Sequence, residues 1–239
     1  MFDALTARAI AAELTGTIAH GRVQSVVPLN ALTIGFEIYV SPSRRYVLAS
    51  VEPTQARLQL STEKLRASNM TLTPFMLLLR KYAKGAFVNR VQAVPHERII
   101  RVEFDHAEHG ISTLIAELMG QRANLILLDA ADLILDAIKR VSPSTNRARA
   151  IQPREPYLPP PPQAKADPTT LTSSQLASLL APASNEPVWQ RLVSTVAGTS
   201  PLLARELTFR VTGRTNAPTD PTLASALALE FNRVWRGDW

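Results

Sequence analysis

Cysteine is absent from all 239 residues. Disulfides, thiolate metal sites and cysteine nucleophiles are therefore excluded. Histidine is scarce. Of His20, His96, His106 and His109, only the last two approach a ligand spacing, and "FDHAEHGIS" around them has the character of a solvated turn. No metal and no cofactor is expected. Long apolar runs are missing as well, since none approaches the roughly 18–20 residues that span a bilayer. No membrane partner is expected. The opening "MFDALTARAIAAEL" carries Asp3 and Glu13 and has no basic stretch before a long apolar core, unlike a secretory leader. A cytoplasmic location is the expectation. Nucleophile elbow, phosphate-binding loop, His-Glu metal helix and Gly-rich dinucleotide motif are all lacking, so the chain is not expected to be an enzyme.

The hydrophobic share of 46% is ordinary for a packed globular chain. The net charge is +6, and of the 26 cations only Lys64, Lys81, Lys84, Lys139 and Lys165 are lysine. The remainder are arginines, whose planar fork matches phosphate and stacks on bases. Genomic base composition also enriches arginine. A basic, cysteine-free chain points to a nucleic-acid partner.

A break falls at "PREPYLPPPPQAKADP", Pro153 to Pro168, because a polyproline run enters neither helix interiors nor central strands. The expected domains are 1–152, a proline-rich linker 153–168, and 169–239. The first opens with a helix near Asp3–Leu14 and continues in alternating segments. In "ALTIGFEIYV", Leu32, Ile34, Phe36, Ile38 and Val40 share one face while Thr33, Glu37 and Tyr39 share the other, the period of a half-buried strand. "GRVQSVVPL", "RRYVLASVE", "ERIIRVEFDH", "ISTLIAEL", "NLILLD" and "LILDAIKRV" behave alike. The last three make a meander with short turns such as Asp129–Asp132. One helix interrupts, with Thr73 as N-cap, Pro74 first, a stripe of Phe75, Leu78, Leu79 and Tyr82, and Gly85 closing it. After the break the period becomes helical. Trp189, Leu192, Val193 and Val196 form one stripe, Gly198-Thr199 breaks it, and Ser200-Pro201 starts a helix with Leu203, Ala204, Leu207 and Val211 inward, ended by Gly213. Asp220-Pro221 opens a last one with Leu223, Leu227, Phe231 and Val234. The fold class is α+β: a twisted antiparallel β-sheet domain with helices, then a small all-α domain.

Three stretches are candidates for binding. "VAGTSPLLARELTFR" has the layout of a helix-hairpin-helix, in which N–H groups at Gly198, Thr199 and Ser200 can hold an RNA phosphate; it also suits an ordinary helix–helix turn. Ser200 stands where such hairpins carry a second glycine. Glu97 and Arg98 are either a solvated acid–base pair or a clamp for a phosphate or base edge. "ELMGQRANLILLD", Glu117 to Asp129, sets Gly120, Gln121, Arg122 and Asn124 between two apolar runs. Turn chemistry explains it, and so does a place where something polar docks.

"FDALTARAIAAEL…GRV", "PFMLLLRKYAKGAFV", "ERIIRVEF", "IAELMGQRANLILLD…ILDAIKRV" and "PREPYLPPP" resemble, in order, the N-terminal domain of the NFACT family of bacterial ribosome quality-control proteins (RqcH), formerly known as fibronectin-binding protein A homologues. "GTSPLLARE" resembles the helix-hairpin-helix region that follows it, so the resemblance covers essentially the whole chain as an N-terminal fragment. It implies a fold like the formamidopyrimidine-DNA glycosylase N-terminal domain. There a proline after the initiator methionine is the nucleophile; Phe2 stands in that place, so lyase chemistry has no nucleophile. It implies binding to the large ribosomal subunit with peptidyl-tRNA, recruitment of alanine-accepting tRNA, and untemplated alanine tailing. The family's acid–arginine pair falls on Glu97-Arg98, and its E-x-M-G-R-x-x-N segment on Glu117, Met119, Gly120, Gln121 and Asn124. Gln121 replaces an arginine that Arg122 could supply. These residues are expected to read tRNA. Two other readings are a fibronectin-binding surface protein and a catalytically dead glycosylase-like nucleic-acid-binding domain.

Overall fold

The computed structural model describes residues 3–145, 149–161, 163–181 and 186–237. They divide into two compact units, one built on 6–160 and the other on 3–5 together with the chain from 161 onward. The division thus falls within the proline-rich stretch.

The first unit holds nine strands: β1 (Arg22–Asn30), β2 (Thr33–Val40), β3 (Ser43–Ser50), β4 (Arg57–Ser61), β5 (Phe87–Ala93), β6 (Ile99–His106), β7 (Gly110–Glu117), β8 (Asn124–Asp129) and β9 (Ile134–Ala137). Their order is β4-β3-β2-β1-β5-β6-β7-β8-β9. Each neighbouring pair is antiparallel, and β1 meets β5 through a single opposed pair, Arg22 and Phe87. This is the antiparallel sheet that the alternating segments predict. Two of its strands lie outside that prediction, β4, which is short and half polar, and β5, which follows a helix at once.

The opening helix α1 (Ala4–Ile18) runs one turn past the expected stop at Leu14, ending before His20, which has a positive φ of 61°. Helix α2 (Pro74–Ala83) is capped as expected, with the Met76 N–H donating to the Thr73 hydroxyl at 3.3 Å and Pro74 first. Its C-cap is the extended Lys84 rather than Gly85. Gly85, at φ +92°, instead donates its N–H to the Val23 carbonyl at 2.8 Å and starts the return into the sheet.

The main core collects Ile34, Phe36 and Ile38 of β2, Phe104 of β6, Leu125 and Leu127 of β8, and Leu14, Ile18 and Leu79 from the helices. Phe36 and Phe104 stack at 6.2 Å. Each such side chain contributes about 1.5–3 kcal/mol by leaving water. The polar face of β2 is less open than its alternation predicts. Thr33 is buried, with its hydroxyl donating to the Glu52 carboxylate at 3.1 Å and paired with the Ser50 hydroxyl at 3.0 Å, and a Cβ on Gly35 would meet Leu65 at 2.7 Å.

The part of strands β6 to β9 around Ile99, Ile115, Ile126 and Ile134 is buried on both faces, as sheets covered on both sides are. Their second face carries Ile99, Ile115, Ile126, Leu128 and Ile134, covered by Val141, Ile151 and Tyr157 from the returning chain. Main-chain bonds fasten that return: Arg154 N–H to Ile134 O at 2.8 Å, Ile134 N–H to Glu155 O at 2.9 Å, and Tyr157 N–H to Asp132 O at 2.9 Å. The first part of the proline-rich stretch is therefore a lid on the sheet.

The second unit contains α3 (Ser173–Leu180), α4 (Val188–Thr195), α5 (Pro201–Thr212) and α6 (Ala224–Arg236) around Leu176, Leu192, Leu207, Leu227 and Phe231. Ala4 and Leu5 belong to the same core. Helix α3 has no counterpart among the expected elements, although Thr172-Ser-Ser-Gln175 closes a reciprocal capping box at its start. Asp220 caps a short 3-10 turn (Pro221–Leu223) that leads into α6, one turn later than expected.

Candidate functional site

Two turns meet at one end of the sheet. Ile99 opposes Glu117 in the β6–β7 register, and beyond that pair the Leu118 N–H donates to the Arg98 carbonyl at 2.8 Å. The Val94–Arg98 turn and the start of the Leu118–Ala123 connection are thus neighbours through the backbones of Arg98 and Leu118. The connection is a tight 3-10 turn in which Ala123 N–H donates to Gly120 O at 2.9 Å. Gly120 has φ +59°, and a Cβ added to it would lie 3.7 Å from the Pro53 carbonyl, ordinary contact. The glycine answers the turn's left-handed backbone rather than a close approach. Gln121 and Arg122 are exposed, while Glu97, Arg98, Met119 and Gly120 are half-buried. Among the described residues, no side-chain hydrogen bond or ion pair engages Arg98, Gln121 or Arg122.

Glu117 and Asn124, expected among the tRNA-reading residues, have a different place. Glu117 is 1% exposed. Its carboxylate accepts from both terminal nitrogens of Arg149, one at 3.1 Å, and from the Tyr157 hydroxyl at 2.9 Å. The Arg149 Nε donates to the Leu158 carbonyl at 2.5 Å, and its guanidinium lies 5.4 Å above the Tyr157 ring. Burial, then the adjacent Glu117 charge, pushes the Tyr157 hydroxyl well above its ordinary pKa. Glu117 is enclosed because β7 is covered on both faces. Asn124 is also buried, and its amide clips Lys139, donating to Lys139 O at 2.8 Å and accepting from Lys139 N–H at 3.0 Å. The Lys139 ammonium reaches the Val51 carbonyl at 2.9 Å, and burial lowers its pKa. Both residues hold the root of the exposed turn; neither offers a free donor or acceptor to a ligand. Arg149 and Tyr157 escaped sequence reasoning. The signal for them lay in "ISTLIAEL" and "NLILLD", whose apolar residues on both faces require a cover.

The Gly198–Ser200 turn joins α4 to α5. Gly198 has φ +67°, and a Cβ there would sit 3.0 Å from the Trp235 ring and 3.2 Å from Ala4 Cβ. Thr199 is buried. Ser200 caps α5, accepting from Leu203 N–H at 3.1 Å, and its hydroxyl donates to the Asp3 carboxylate at 2.9 Å. The anion at this helix start is therefore Asp3 of the same chain, and the expected phosphate grip gives way to an internal cap. His106 and His109 lie at the exposed turn between β6 and β7, with their rings stacked at 4.6 Å. Among the described residues no group of three His, Cys, Asp or Glu has metal-binding geometry, and no helix is long and apolar enough to cross a membrane. Phe2, which bears on the glycosylase comparison, lies outside the described residues.

The family of NFACT N-terminal and middle domains matches residues 3–234, and the chain belongs to it. Two of the curated relatives that carry the name Rqc2 homolog RqcH illustrate the similarity. The one from Bacillus subtilis strain 168 is 28% identical over 235 residues, covering 96% of this chain and 40% of its own. The other, from Streptococcus pneumoniae serotype 2 strain D39, is 28% identical over 184 residues, covering 75% of this chain and 33% of its own. The chain thus spans two-fifths or less of the length of these relatives. Among solved structures, the N-terminal part of the fibronectin/fibrinogen-binding protein from Streptococcus suis matches with a TM-score of 0.79 and 25% identity, over 97% of this chain and 85% of that one.

Proposed function

We propose that this chain is the RNA-binding, non-catalytic N-terminal part of a cytoplasmic ribosome quality-control factor, and that its paired turns read tRNA. The observation that supports this reading is that Arg98, Gln121 and Arg122 lie on two turns joined by the backbone bond between Leu118 and Arg98, their side chains unengaged among the described residues. Unpaired loop bases are where RNA specificity lies, held by edge hydrogen bonds and stacking. A guanidinium can fork onto a phosphate or a purine edge, the Gln121 amide can both donate and accept, and the Glu97 carboxylate can accept from an exocyclic amine. Glu117 and Asn124 act by positioning this turn, and the Gly198–Ser200 turn drops out of the RNA surface. In the whole protein the same surface would recruit alanine-accepting tRNA to a large subunit that still holds peptidyl-tRNA, for untemplated alanine tailing of the stalled chain.

The test is tRNA affinity across a salt series. Arg98→Ala and Arg122→Ala should each weaken binding about fivefold to a hundredfold, corresponding to about 1–3 kcal/mol for a well-made polar contact, and flatten the salt slope by about 0.7–0.9 for each phosphate no longer neutralised. Unchanged affinity and slope would refute the surface. The name of the solved relative from Streptococcus suis favours a second reading, a fibronectin- or fibrinogen-binding module. Fibronectin binding that survives high salt, by protein purified without RNA, would support it.

A further inference from the structure

One row of directly opposed residues crosses five neighbouring strands on the outward face of the sheet. Arg44 on β3 opposes Tyr39 on β2, Tyr39 opposes Arg22 on β1, Arg22 opposes Phe87 on β5, and Phe87 opposes Asp105 on β6. Opposed residues share a face. The next residues along, Ile38, Val23, Val88 and Phe104, are all buried in the main core. The row therefore points to solvent, with Tyr39 41% and Phe87 53% exposed. Two aromatic rings left open on a sheet, each flanked by a guanidinium, need an explanation.

The row is held in shape from below. Arg22 Nε donates to the Gly85 carbonyl at 3.1 Å, and Arg44 is steadied by Glu37 at 2.6 Å. The β1–β2 and β5–β6 registers both shift beside the row, at Gln24 and at Asn89. Such bulges re-aim side chains and recur beside binding sites. The same face continues into a shallow polar depression lined by Arg90, Gln92, Arg101, Glu103 and Thr113.

We propose that this row is a stacking platform for unpaired RNA nucleotides: Tyr39 and Phe87 each take the face of one base, and Arg22 and Arg44 hold the phosphates beside them. Rings two strands apart stand about 10 Å from each other. That is too wide for one base to fill, so each ring takes its own. Sequence-tolerant stacking on exposed aromatics, with cations tracking the backbone, is how single strands are gripped. A protein partner fits less well, because the row offers no exposed aliphatic side chain beside its rings and alternates them with full charges. The platform shares no residue with the turn surface proposed above, so the two can fail separately.

The test is fluorescence anisotropy of an end-labelled, unstructured ten-nucleotide RNA titrated with the 239-residue protein. The double variant Y39A/F87A should lose about tenfold to a hundredfold in affinity, the range for one or two stacked bases, with the salt slope unchanged because no charge is removed. Y39F/F87Y should bind as the parent does. Arg22→Ala should lower the salt slope by about 0.7. Should Y39A/F87A melt early, the single variants Y39S and F87S carry the same expectation. The proposal is overturned if the alanine variant binds within twofold of the parent, if the parent binds no single-stranded RNA, or if a duplex competes as well as a single strand.

Discussion

A carboxylate as enclosed as Glu117 keeps its charge in a folded chain only when several donors replace its water. Here three do, two from Arg149 and one from Tyr157. Deleting the cation leaves that charge stranded, so Arg149→Ala should destabilise the protein by about 3–5 kcal/mol, read as a lower urea midpoint at unchanged slope. Tyr157 offers a second measure. Its folded-state pKa lies above the unfolded value near 10, so its contribution is complete below about pH 10 and is lost as pH rises further. In an ultraviolet titration of the four tyrosines, one should resist ionisation until the protein unfolds, and Tyr157→Phe should abolish that resistant step. Neither role could be read from residue type. A Glu or Asn beside a glycine turn suits a binding loop, and the partners that enclose Glu117 are Arg149 and Tyr157, 32 and 40 residues further on, the second within the proline-rich stretch.

At the scale of elements, period and caps carry much of the fold. The face alternation of β2, the Thr73-Pro74 start of α2 and the Ser200-Pro201 start of α5 are local physics, and each was legible. The strand β4 was not, because "RLQLS" is short and gains its place from pairing with β3 alone. Helix α3 had a legible start in Thr172 and Gln175 that its short length concealed. The α4–α5 joint shows how a binding motif and a packing motif share one pattern. Glycine is required at 198 by its positive φ and by the Trp235 ring against it, with no ligand needed. Gly198→Ala should therefore cost about 1–3 kcal/mol, seen as a lower melting temperature of the helical unit. Binding of tRNA should be unchanged at temperatures where that unit stays folded, whereas a phosphate-gripping turn would lose affinity as well.

For the whole molecule, the joint tRNA role expected of Glu97-Arg98 and the Glu117–Asn124 turn came only from family resemblance, whereas the two strand-like runs around "FDHAEHGIS" already imply the hairpin that sets β6 and β7 side by side. The assignment of residues to units was less legible still. Asp3, Ala4 and Leu5 are counted with the helices from 161 onward, through the Ser200 cap and the core shared with Trp235. Nicking the backbone near 160 should therefore give two fragments that elute together from a sizing column without denaturant. Residues 161–239 made alone should bind a hydrophobic dye until a peptide bearing the first residues is added. Distance along the chain is a poor guide to what this protein can spare: its opening residues are the keystone of its closing ones.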